Sequence, residues 1–214
     1  MSKKVSSQSN IVKDKEVYIV VSKTSTIPSQ VIKMWTREQY AHTSLALDIE
    51  LNNMYSFARK KLWNPFYCGF IQEDITKGVF GRDVGTTCRV GRLRVTSAQY
   101  KRIVEIIERF RQNKDSYGYN YLGVLGVTVN KPVEREHYYF CSQFVYYVLQ
   151  KAGVKMFDKQ PGLARPEDFR VWDELEIVYE GKLVDYRDYI HSLKDKESED
   201  VELEMGVNEA AITV

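Results

Sequence analysis

Three cysteines and three histidines supply all the thiol and imidazole chemistry in 214 residues. Cys141 stands apart from Cys68 and Cys88. It sits in Tyr-Tyr-Phe-Cys-Ser-Gln-Phe-Val, where Phe144, Val145, Val148 and Leu149 begin to recur at helical spacing and Gly153 supplies a stop. The spacing predicts a helix that starts at Cys141. A helix start exposes unpaired N–H groups and a positive dipole end, and both favour a thiolate over a thiol. A small buried hydrophobe at a helix start would satisfy the same pattern, so position alone leaves both readings open.

A thiolate that attacks carbon needs a base to manage its proton. His191 lies near the C-terminal end and His137 lies in the charged stretch Glu134-Arg-Glu-His137. His42 opens the run Thr43-Ser-Leu-Ala-Leu47, which reads as a strand and would hold an imidazole rigidly at a sheet edge. His42 as base and Cys141 as nucleophile is therefore the pair to test.

Ala41-His-Thr-Ser-Leu-Ala-Leu-Asp48 with Met54-Tyr-Ser-Phe57 resembles the histidine-bearing strand pair of NlpC/P60 cysteine hydrolases, and Phe140-Cys-Ser-Gln-Phe-Val145 resembles their Asp-Cys-Ser-Gly-Phe-Val helix start. Here the histidine precedes the cysteine. That order is similar to the circularly permuted branch containing the YiiX-like and lecithin:retinol acyltransferase-like proteins. The resemblance spans about Glu16 to Tyr189. It implies a permuted papain-like fold and a thiol hydrolase that cleaves an amide or ester of a small peptide-like or acyl substrate through a thioacyl intermediate, without a cofactor. Acyl transfer by the same thiolate and a binding module on an inactive scaffold are the alternatives.

The resemblance also implies a third group that orients the imidazole from the neighbouring strand. Counting along the hairpin places Ser56 there, where the family more often has His, Asn, Gln or Glu. A hydroxyl can hydrogen-bond a ring nitrogen but brings no charge to an imidazolium, which leaves the role open to another residue. The family's tyrosine upstream of the cysteine matches Tyr119 in Tyr119-Asn-Tyr-Leu-Gly123, with Tyr121 in reserve, and would donate to an oxyanion. Phe140 replaces the family's aspartate and makes the surroundings of the nucleophile more apolar.

The elements that must position these groups read as an α+β chain with helices on a mainly antiparallel sheet. Val17 to Val21 is a strand. A helix capped by Ser25 or Thr26 runs towards Trp35, and 42–47 with 54–58 forms a hairpin around an Asp/Asn connection. Thr87 to Val95 is a strand with a bulge expected at Gly91. Thr96-Ser-Ala-Gln99 opens a helix through a capping box, with Tyr100, Ile103, Val104, Ile107 and Phe110 on its apolar face. Leu175 to Tyr179 is a late strand. Gly78 to Gly85 lacks the Lys-Ser/Thr of a phosphate loop and reads as a plain loop. Arg89, Arg92 and Arg94 read as a solvent-facing strand edge, or as a site for an anionic substrate tail.

One catalytic domain at 16–191 is expected, between a flexible N-terminus at 1–15 and an acidic flexible tail at 192–214. The formal net charge of +2 gives no argument for a nucleic-acid partner, with 43% hydrophobic and 28% charged residues. Widely spaced cysteines without CxxC or Cys/His clusters argue against a structural metal and for free thiols. No signal-peptide core and no run of about 20 apolar residues appears, so no integral membrane segment and a cytoplasmic location are expected.

Overall fold

The computed structural model describes residues 15–24, 41–61, 64–196 and 198. The helix expected from Ser25 or Thr26 to Trp35, the first 14 residues and most of the acidic tail lie outside them.

The β-branched run Val17–Val21 is the middle of β1 (Lys15–Lys23), the strand around which the sheet is built. β1 pairs antiparallel with β2 (His42–Ala46) on one side and with β5 (Thr87–Val95) on the other. β2 continues into β3 (Met54–Lys61), β3 into β4 (Asn64–Glu73), and β5 pairs with β8 (Glu176–Lys182). The six strands run in the order β4-β3-β2-β1-β5-β8, every pair antiparallel. The chain is thus α+β with a mostly antiparallel sheet.

Alternation along β1 divides two cores. Val17, Ile19 and Val21 face the helices α2 (Ser97–Gln112) and α4 (Cys141–Lys151), whereas Tyr18 and Val20 face α1 (Gly78–Arg82) and a terminal helix, α6, over residues 186–196. α6 buries Tyr186 and Ile190 and carries the fold past the boundary expected at 192. The described residues also include α3 (Tyr121–Thr128), α5 (Pro166–Arg170) and the short parallel pair β6 (Gly118–Tyr119) and β7 (Tyr138–Tyr139).

Local signals account for several boundaries. Thr96 accepts from the Gln99 amide at 3.2 Å and Gln99 accepts from the Thr96 amide at 2.9 Å, a reciprocal cap on α2. Ile103, Ile107 and Phe110 are buried as the periodicity requires, with Ile106 added to them. Gly153 ends α4 at φ +81°, and the Val154 amide returns to the Leu149 carbonyl at 3.0 Å. The register does shift beside Gly91, but the extra residue is Val178 of β8.

Two expectations are corrected. Gly78–Arg82 is a short helix that buries Phe80 rather than a plain loop. β5 is an interior strand, and its arginines are matched by carboxylates on both flanks. Arg92 pairs with Glu176 and with Glu16 at 3.4 Å, Arg94 with Glu176 at 3.3 Å and Arg89 with Glu180 at 3.7 Å.

Candidate active site

Cys141 is the first residue of α4 and is only 4% exposed. The preceding residue, Phe140, has extended backbone and is fully buried against Val124 and Val127 of α3. Phe140 is therefore an apolar anchor for the helix start. Behind it, Gln143 and Asn120 form a buried brace. The Asn120 amide donates to Gln143 Oε1 at 3.3 Å and to the Val133 carbonyl at 2.8 Å, and its oxygen caps α3 at Gly123. Ser142 donates to the Ala164 carbonyl at 2.7 Å. Every polar side chain at this helix start is thus tied to a partner, which fixes the position of the sulfur.

The strand that carries His42 is arranged to meet it. β2 and β3 share only two register pairs, Leu45 with Tyr55 and Ala46 with Met54. From Ser44 back to His42 the strand keeps β1 as its neighbour and parts from β3. The start of α4 sits at this open edge, where the Thr43 and Ser142 amides reach the Cys141 sulfur. The His42 imidazole lies beside the Cys141 sulfur, close enough for each group to shift the titration of the other.

The other side of the ring meets a residue that sequence reading missed. Nε2 of His42 donates to Glu73 Oε1 at 2.8 Å, and Ser44 donates to Glu73 Oε2 at 2.5 Å. Ser44 Oγ also lies 3.2 Å from the same ring nitrogen. With Nε2 so occupied, Nδ1 is the nitrogen left for the thiol. Glu73 ends β4, opposite Met54 of β3, so alternation places it on the sheet face shared by Ser56 and Ser44. Burial pushes its carboxyl up, but the His42 charge and hydrogen bonds from His42 and Ser44 bring it below the ordinary carboxylate range.

Ser56, the residue expected to orient the ring, is fully buried one strand nearer. Its hydroxyl helps to hold Glu73 ionised but makes no well-formed hydrogen bond, to the imidazole or to any other described group. The β4 strand could have been read from Phe66-Tyr-Cys-Gly-Phe-Ile71, an aromatic and β-branched run, which would have put Glu73 at a strand end.

The charges reinforce one another. Burial lowers the His42 pKa, yet Glu73 and then Cys141 raise it well above the usual imidazole value. Burial raises the Cys141 pKa, yet the His42 hydrogen bond and charge, with the two amides, bring it below the usual thiol value. Both shifts favour the thiolate–imidazolium form of the pair over the neutral one. Tyr119 lies in the short pair β6–β7 beside Tyr139, and burial followed by the Cys141 charge holds its hydroxyl protonated. Tyr121 turns elsewhere, donating to the Phe66 carbonyl at 2.9 Å and meeting Cys68. Burial pushes Cys88 up to about 12. No group of three His, Cys, Asp or Glu able to hold a metal occurs among the described residues. No helix among them is long and apolar enough to cross a membrane.

No family model matches the chain, and no curated protein and no solved structure matches it either.

Proposed function

We propose that the chain is a cysteine hydrolase with a circularly permuted NlpC/P60, papain-like fold that cleaves an amide or ester of a small peptide-like or acyl substrate. The observation that carries this reading is the buried line of Cys141, His42 and Glu73, in which His42 is hydrogen-bonded to Glu73 and electrostatically coupled to Cys141.

The Cys141 thiolate attacks the acyl carbon and the carbonyl π electrons move to oxygen. The Tyr119 hydroxyl, kept protonated by burial and by the Cys141 charge, donates to that oxyanion in this reading. As the tetrahedral centre collapses, the His42 imidazolium gives its proton to the departing amine or alcohol and a thioester remains on Cys141. Neutral His42 then takes a proton from water, the resulting hydroxide equivalent attacks the thioester, and the thiolate leaves with the acid released. Glu73 keeps the ring oriented through both halves and stabilises its charge. Delivery of the same thioester to an amine or hydroxyl would make the protein an acyltransferase, and the 4% exposure of Cys141 favours a site poor in water.

Incubation with p-nitrophenyl acetate, followed by intact mass and peptide mapping, tests the reading. An acetyl group on Cys141, absent from Cys141→Ala and strongly reduced in His42→Ala, is expected. Release by water marks a hydrolase, and release only by an added amine marks a transferase. Absence of the adduct, or equal acetylation of Cys68, would leave an inactive scaffold as the better account.

A further inference from the structure

The eight residues of α3 contain no charged side chain. One side of the helix covers Phe140 through Val124 and Val127, with Tyr119 packed against them. The opposite side is uncovered by the other described residues. Leu122, Leu125 and Val129, spaced by three and four residues, are 52%, 48% and 64% exposed, and the start of β4 adds Phe66 at 74% and Tyr67 at 47%. The hydrogen bond from Tyr121 to the Phe66 carbonyl joins the two segments into one surface. Scattered exposed apolar residues are ordinary, but a contiguous group of five is the mark of an interaction face.

The two segments that build this face carry charge of one sign, with Asp115 the acidic neighbour that meets one of their lysines. Residues 59–72 and 117–133 carry Arg59, Lys60, Lys61 and Lys131 and no aspartate or glutamate. Lys60 and Lys61 each bring their ammonium to 5.6 Å from the Tyr67 ring centre, and Lys60 also reaches Asp115 at 3.8 Å. Lys61 and Lys131 are exposed. Acidic residues resume at Glu134, whose carboxylate accepts from the Gly162 amide at 3.3 Å.

We propose that this face docks on the surface of an anionic lipid bilayer. α3 lies in the interface plane with Leu122, Leu125 and Val129 turned to the upper acyl chains, Phe66 and Tyr67 enter beside it, and Lys61 and Lys131 meet headgroup phosphates. The basic flank favours a lipid surface over a second copy of the chain, because a two-fold interface through this patch would set like charges near one another. One apolar patch with few cations gives reversible rather than permanent attachment. Tyr119 packs on the covered side of α3 and lies close enough to Cys141 to feel its charge, so docking through the other side of this helix brings the nucleophile's end of the molecule towards the bilayer.

Cosedimentation of the full chain with vesicles of phosphatidylcholine alone, and of phosphatidylcholine mixed equally with phosphatidylglycerol, tests this directly. Binding to the mixed vesicles that weakens with salt is expected, with little binding to the neutral ones. Leu122→Asp and Phe66→Asp, at exposed positions, should each abolish it. The double charge reversal Lys61→Glu with Lys131→Glu should lower it by roughly tenfold. No binding to mixed vesicles, or binding that survives all these substitutions, overturns the proposal. A dimer in sedimentation equilibrium that Leu122→Asp dissociates, without vesicle binding, assigns the face to self-association instead.

Discussion

Glu73 at the end of β4 holds Nε2 of His42 at 2.8 Å, although β4 stands two strands away from β2 in the sheet. The contact exists because β2 and β3 separate beyond Leu45 and Ala46, which lets the His42 side chain pass Ser56 and reach the next strand. A buried carboxylate that accepts from both His42 and Ser44 sets the proton affinity of the ring from the side opposite the thiol.

Thioester formation requires deprotonated Cys141 and protonated His42. The rate should rise as pH climbs through the depressed Cys141 value and fall as it passes the raised His42 value. Glu73→Gln removes the charge that raises His42, so the alkaline limb should move to lower pH. Ser44→Ala leaves the charge but loses one hydrogen bond, and should move the same limb less, with Ser44→Thr restoring part of it. Each unit of displacement is a tenfold change in the proton equilibrium. A pH–rate profile whose alkaline limb ignores both substitutions would remove Glu73 and Ser44 from the account.

Much of this arrangement is written locally and some of it is not. The start of α4 at Cys141, the Thr96–Gln99 cap and the Gly153 stop depend on neighbours within a few residues, and their residue types announce them. The third member of the site depends on register between strands that are distant in sequence. Ser56 and Glu73 share a face of the sheet, and the choice between them turns on where β2 leaves β3, which no short pattern encodes. The arginines of β5 misled for the same reason, since Glu16 and Glu176 lie far from them along the chain.

The three thiols should differ sharply towards a small alkylating agent near neutral pH. Cys141 should react first, Cys68 slowly because burial raises its pKa, and Cys88 last because it is fully buried and pushed up to about 12. Peptide mapping after timed iodoacetamide exposure gives the order. Labelling of Cys88 or Cys68 ahead of Cys141 would contradict it.

Tyr119→Phe removes one oxyanion donor without touching the ion pair. Turnover should fall about a hundredfold, while the pH limits stay where they were because Tyr119 is protonated throughout. A shifted acid limb would place Tyr119 in the Cys141 equilibrium instead.

Phe57 is fully buried, and its ring lies within 6.5 Å, centre to centre, of Phe70, Phe110, Tyr117, Tyr139 and Phe144. It joins the sheet to both α2 and α4. Phe57→Ala should cost about 3–5 kcal/mol, measured by urea unfolding, and a loss below about 1 kcal/mol would show that the site closes over the cavity.

The ion pair itself can be read from thiolate absorbance in the ultraviolet, taken as the difference between the native chain and Cys141→Ala across pH. A thiolate signal is expected well below the ordinary thiol value of about 8.5, lost near neutrality in His42→Ala. A signal that appears only around that ordinary value, and is the same with or without His42, would contradict the central claim.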